Sequence, residues 1–296
     1  MSVNRGVLLA FLASAAFSMK AIFVKLAYHY GVDAVLLLAL RMGFSLPVLI
    51  GAAWWSGRTA AVPLTRHDAG LLLFLGVVGY YLSSILDFWG LQYITAGLER
   101  LILFLYPTVV VLLSVFLFGK PISVRAILAM AVSYVGIGIA FTHDVEVTSD
   151  RQATLMGGSL VFLCMITYAI YLVGNGQLVG RIGATRLAAW ASIIAALCCL
   201  GHFLVTHQPR AIVDQPWQVY AYSLAMAGLS TVLPIFLTAK AIQLIGAAKV
   251  SIVGSIGPVA TIFFGWLFLG EQVSVPQVIG AAFVLGGVML VSSRKA

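Results

Sequence analysis

Gln92-Tyr-Ile-Thr-Ala96 runs on through Pro107 to Gly119, and 151 residues later Gln243-Leu-Ile-Gly-Ala247 runs on through Pro258 to Gly270. Between Leu82 and Ala140 eleven positions are identical at this one offset: Leu82, Leu86, Gln92, Ile94, Ala96, Pro107, Gly119, Ser123, Val124, Ala131 and Gly136. Two apolar segments share Leu and Val by chance. The weight therefore falls on the shared Gln, Pro and Gly, which are scarce in such segments. The chain repeats itself, and what the repeat contains sets the class of function.

Hydrophobic residues make up 62% of the 296 positions and charged residues 9%, against about 25% charged in soluble domains. Such a surface cannot face water. Segments long enough to cross a hydrocarbon layer of about 30 Å recur throughout. Ten are read, at 6–28, 34–54, 69–92, 96–118, 125–142, 154–175, 186–205, 218–243, 247–269 and 275–292. Only short loops remain between them. The first could be taken for a leader, with Arg5 ahead of an apolar Val7–Phe17 and a small-residue Ala13-Ser-Ala15. It is read as a span, because its removal would leave nine and spoil the match between the halves.

Lys and Arg in loops set orientation. With the N-terminus inside, the cytoplasmic side holds nine: Arg5, Arg58, Arg66, Lys120, Arg125, Arg181, Arg186, Arg294 and Lys295. The outer side holds Arg151 and Arg210, beside the acidic loop His143–Asp150. Both termini are therefore expected in the cytoplasm. The net charge of +8 is largely this bias. It calls for anionic lipid head groups and for no nucleic acid. Cys164, Cys198 and Cys199 lie inside spans, so no disulfide framework is implied.

The offset carries the fourth span onto the ninth and the fifth onto the tenth. Each half then has five spans, and an odd repeat must insert its second copy upside down. The expected fold is an all-α polytopic membrane protein of ten transmembrane helices. It comprises two inverted five-helix repeats, 1–142 and 154–296, joined at the polar stretch Thr142–Ala153. Inverted repeats of this kind are typical of secondary transporters, whose substrate site lies near the midplane where the halves meet.

The segment Gly246–Glu271, closing on Leu269-Gly-Glu271, and its first-half counterpart, Thr95–Pro107 through Phe118-Gly-Lys120, carry a resemblance. Over nearly all of both repeats the chain resembles the EamA-type, two-repeat members of the drug/metabolite transporter superfamily. The resemblance implies a metabolite exporter of the cytoplasmic membrane, often for amino acids or related compounds. There are departures. Lys120 stands where the family turn usually carries Glu. The first span also lacks the acidic residue used by half-length multidrug relatives, which puts a cation/proton exchange of their type in doubt.

Ionisable groups within the spans are Lys20, Lys25, Arg41, Asp87, Glu99, Arg100, Lys240 and Lys249. Each charge placed centrally costs about 2.5–3.5 kcal/mol on insertion scales. Lys25 is expected to snorkel to the interface, and Lys240 and Lys249 are open to the same reading. Glu99 could anchor a helix N-terminus. Lys20 sits mid-span. Asp87 is too short to snorkel and should pair with a cation, with Arg100, Lys20 and Arg41 as candidates. The surplus of cations is either interfacial or leaves a central cation, Lys20 or Arg100, to receive a substrate carboxylate.

Helical spacing sorts the polar residues into faces. Tyr80, Ser84 and Asp87 share one face, as do Ser14, Ser18 and Lys25, and Tyr168, Tyr171 and Asn175. Ser223, Thr231 and Thr238 share another, and Ser251, Ser255 and Pro258 a last one, which superposes at the offset on Arg100, Phe104 and Pro107. In lipid such faces should look inward. Ser and Thr also serve plain interhelical hydrogen bonding, at about 0.6 kcal/mol each. Pro107 and Pro258 should kink their helices. Tyr106 joins the deep aromatics that could line a pocket, whereas Trp54, Trp55 and Trp217 read as interfacial anchors.

The substrate pathway is thus expected along Lys20, Tyr80, Ser84, Asp87, Arg100, Tyr106, Tyr168, Tyr171, Thr238, Ser251 and Ser255. The leading function is a secondary transporter of small metabolites working by alternating access, as an exporter of amino acids or related carboxylate-bearing compounds. Drug or cation efflux and passive facilitation on the same scaffold are the alternatives. No HExxH, GxSxG or Walker loop occurs, so enzyme chemistry and ATP use find no support in the chain. No cofactor or metal is called for. Protons stay a candidate coupling ion through Asp87 and Glu99, and a homodimer is left open.

Overall fold

A computed structural model describes residues 2–58, 62–119, 122–147 and 150–292. Among them all regular structure is helical. Lipid offers no partner to a backbone N–H or C=O, so a segment crossing it must satisfy them internally. Eight helical runs are long and apolar enough to cross a bilayer: Asn4–Tyr28, Ala34–Arg58, Arg66–Leu91, Ala96–Phe118, Ile127–Glu146, Arg151–Ile182, Ala184–Thr206 and Trp217–Ile245. Shorter apolar helices follow at Gly257–Leu269 and Val275–Leu290. The first eight expected segments each have a counterpart among these runs. The ninth is cut short by a break in its helix. The protein is a multi-pass membrane protein. Its outside suits acyl chains rather than water: Phe116 is 84% exposed and Val205 86%.

In chain order the helices are α1 (Ser2–Tyr28), α2 (Ala34–Arg58), α3 (Arg66–Phe74), α4 (Ser83–Leu91), α5 (Ala96–Leu103), α6 (Tyr106–Phe118) and α7 (Val124–Val147). Then come α8 (Arg151–Ile182), α9 (Ala184–Thr206), α10 (Trp217–Ala227), α11 (Leu233–Ile245), α12 (Ala247–Gly254), α13 (Gly257–Phe264) and α14 (Val275–Ser292). The expected loop His143–Asp150 is largely helix, because α7 runs to Val147. Asp144 meets protein there, taking hydrogen bonds from Thr95 Oγ1 at 3.3 Å and Gln277 Nε2 at 3.4 Å. Asp150 caps α8 through Ala153 N at 2.9 Å.

Backbone irregularities recur at the sequence offset. Wide π turns occupy Leu75–Leu82 and Gly228–Val232. The fourth run breaks at Phe104 and Leu105, and the segment 247–269 breaks at Ser255 and Ile256. Both copies end on a left-handed glycine, Gly119 at φ 62° and Gly270 at φ 66°, a conformation that favours glycine. Corresponding helices also pack on each other. α2 lies antiparallel on α9, with Leu49 and Ala53 against Ala189 and Ile193. α7 lies antiparallel on α14 with backbones nearly touching. A Cβ on Gly136 would come 2.7 Å from Gly280 O, and one on Gly287 would come 2.6 Å from Ala129 O. Small residues allow such approach where lipid gives no hydrophobic drive between helices.

Candidate functional site

Three helices place charge at one buried point. Lys20 on α1 donates to Asp87 Oδ2 on α4 at 2.5 Å and to Glu99 Oε1 on α5 at 3.1 Å. Lys20 is 6% exposed, Asp87 2% and Glu99 0%. Of the three candidate partners for Asp87, the lysine takes it. Glu99 stands in the first turn of α5, as expected, but its carboxylate takes no helix-end N–H among the described residues. That duty is filled by Thr95 Oγ1, which accepts from Leu98 N at 3.1 Å, and by Glu271, which accepts from Ala96 N at 2.9 Å and Gly97 N at 3.5 Å. A carboxylate suits the positive end of a helix, and with Glu271 there Glu99 turns inward. Asp87 Oδ1 and Glu99 Oε2 have no hydrogen-bond partner among the described residues.

Arg100, next on α5, is 5% exposed and forms no ion pair among the described residues. Its guanidinium lies 4.8 Å from the Phe17 ring centroid and 5.5 Å from that of Phe104, with Nε unpartnered. Ring faces attract a cation but take none of its N–H bonds. The aromatic shell continues from Phe104 to Tyr106 at 6.2 Å, Tyr168 at 5.6 Å from Tyr106, Tyr171 at 6.1 Å and Tyr80 at 5.8 Å. Gly257 closes the other side, where a Cβ would meet Phe104 at 3.2 Å and Arg100 Nη2 at 3.3 Å. Arg100 therefore sits where α1, α5 and the start of α13 converge.

The second helix break is tied to α1. Pro258 has no N–H for the Gly254 carbonyl four residues back, and Ser14 Oγ donates to that carbonyl at 2.9 Å. Ser18 Oγ donates to Gly257 O at 3.1 Å. At the matched positions of α8 stand Met165 and Ala169, so the break before Pro107 has no such hydroxyls. Ser255 is buried at the break. The side chain of Ser251 lies outside the described residues.

Where α1 ends and α5 begins, Lys25 does not snorkel. Its Nζ donates to Ile94 O at 2.6 Å and lies 3.9 Å from Glu271 Oε1. The carbonyl and the carboxylate hold it inside. Glu271 thus fastens the turn before α14 to α1 and α5. Arg41 on α2 lies 5.5 Å from the Phe88 ring centroid and donates twice to Thr231 Oγ1, at 3.2 Å each. Ser84 and Thr238 are half-buried on α4 and α11, and no described hydrogen bond or ring contact joins them to the Arg100 cluster. Two surface hollows, near Arg181–Arg186 and near Gly270–Val273, lie at loops rather than at Arg100.

Repeated membrane-spanning helices surround an occluded cluster of charge, the layout of a polytopic membrane protein. The profile of the EamA-like transporter family matches residues 4–142 and again 155–293. The chain belongs to that family, in its two-repeat form. Relatives agree. The uncharacterized transporter YcbK of Bacillus subtilis (strain 168) is 29% identical over 301 residues, 97% of this chain and 91% of that one. The uncharacterized inner membrane transporter YicL of Salmonella typhimurium (strain LT2) is 22% identical, over 86% of this chain and 83% of that one. One solved crystal structure superposes with a TM-score of 0.68 at 17% identity, covering 97% and 96% of the two chains. That likeness speaks for the fold alone.

Proposed function

We propose that this transporter moves small carboxylate-bearing metabolites, amino acids or their relatives, out of the cell by alternating access, with Arg100 receiving the carboxylate. The observation that carries this reading is the Arg100 guanidinium, buried among Phe17, Phe104 and Gly257 with no ion pair among the described residues. A buried cation with unused N–H groups offers a strong, directional site for a carboxylate. Lys20, the other cation considered for that task, is engaged by Asp87 and Glu99. Tyr106, Tyr168, Tyr171 and Tyr80 would then line the side-chain end of the pathway.

The remaining frame is part of the same reading. Ten crossings form two inverted repeats, supported by the antiparallel packing of α2 on α9 and α7 on α14. The protein sits in the cytoplasmic membrane with both termini inside, as its loop cations favour. The Glu271 fastening then lies at the outer end. The test is to overexpress the protein and challenge cells with amino acids, their toxic analogues and cationic dyes. Raised tolerance to carboxylate-bearing compounds, lost in Arg100→Gln, is expected. Protection against cationic dyes alone would overturn the cargo class.

A further inference from the structure

Four ionisable groups meet near Glu99, Lys20 and Arg100 against Asp87 and Glu99, and with all four ionised their charges sum to zero. Lys20 and Asp87 form the shorter contact, 2.5 Å, and cancel as a pair. Glu99 is then the charge that offsets Arg100. Every neighbouring element fits this count. α1 also brings Lys25, balanced by Glu271, and Tyr28, whose hydroxyl donates to Phe88 O. α8 brings the neutral Cys164 and Tyr168. α13 and α14 carry no titratable side chain. Asp144 of α7 is held at Thr95, a turn away. The second oxygen of Glu99 is buried with no donor against it, and a proton placed there has an acceptor in the neighbouring Asp87 carboxylate, whose own second oxygen is equally unpartnered.

We propose that Glu99 is a proton-binding site, and that the proton travels with a monoanionic carboxylate bound at Arg100. This rests on Arg100 being the carboxylate receiver. When cargo neutralises Arg100, Glu99 takes a proton from water on the loading side, and the cluster is again neutral. On the far side cargo leaves and Glu99 returns its proton to water there. Empty and doubly loaded forms carry no net charge. Cargo alone leaves one negative charge in the membrane, and a proton alone leaves one positive. A single central charge costs enough on insertion scales to make these forms about 100-fold rarer in crossing between orientations. Cargo and proton are thereby coupled one to one, the transported pair is electroneutral, and outward movement is driven by the cargo's own gradient rather than by the proton gradient.

Two measurements test this. In the first, purified protein in nanodiscs is acidified while its infrared carboxylic-acid bands are followed, with no cargo present. A band lost in Glu99→Gln but kept in Glu271→Gln is expected. A wild-type spectrum lacking any band that Glu99→Gln removes overturns the site. In the second, liposomes with a trapped pH dye receive the monoanion N-acetyl-L-phenylalanine or zwitterionic L-phenylalanine, with protein-free liposomes as background. Entry of the monoanion with one proton, insensitive to membrane potential, is expected. Glu99→Gln should still exchange the monoanion but move no proton with it. Monoanion flux without protons, or proton flux surviving in Glu99→Gln, overturns the coupling. If neither compound moves, the reading of Arg100 fails, and the infrared titration alone decides Glu99.

Discussion

At the scale of single residues, pairing rather than charge type separates structure from function. Lys20 satisfies two carboxylates, so Lys20→Met strands both, and breaking a buried pair costs about 3–5 kcal/mol. Thermal unfolding in detergent should show that loss, and Lys20→Met/Asp87→Asn should recover part of it. Arg100→Lys keeps the charge but loses the planar group that stacks on Phe17 and Phe104. Its transport rate should fall about tenfold with stability little changed, the equivalent of about 1.4 kcal/mol. The sequence named Lys20, Asp87 and Arg100 because mid-span charges are costly. It could not assign partners, since pairing depends on how α1, α4 and α5 turn about their axes. Glu99 stands in the first turn as the sequence suggests, but its inward turn was not legible, because Glu271, a residue 172 positions further on, takes the helix-end N–H groups. Phe17 gave no signal in a chain with 11% aromatic residues.

At the scale of elements, close backbone approach holds the bundle. A Cβ on Gly280 would stand 2.6 Å from Gly136 O, whereas Gly286, on the same helix, faces open space. Gly280→Ala should therefore lower the unfolding temperature, while Gly286→Ala should leave it unchanged or raise it, as alanine favours a helix over glycine. Equal effects of the two would mean that α7 and α14 do not pack as described. Spans and prolines were legible because length and a missing N–H are written in the residues. The break was not fully legible: that Ser14 and Ser18 cover the Gly254 and Gly257 carbonyls is a tertiary fact. A polar run also misled, since His143–Val147 is helical once Asp144 finds Gln277 and Thr95.

At the scale of the whole molecule, repetition in sequence becomes repetition in backbone at one π turn, one helix break and one left-handed glycine of each copy, whereas the π turn at Gly265–Leu269 and the left-handed Gly246 have no counterpart. The Arg100 cluster is occluded, with Arg100 5% exposed, so on the proposed reading the helices around it must move to admit cargo. Reporter tags at the two ends should both read as cytoplasmic. The most direct measurement is labelling of a single cysteine at Tyr106, with Cys164, Cys198 and Cys199 replaced, using a membrane-impermeant maleimide. Applied to right-side-out and to inverted vesicles, the reagent should label Tyr106→Cys from both faces, and transported cargo should slow both reactions. Labelling from one face only, or from neither, would contradict a single site opened in turn to each side of the membrane.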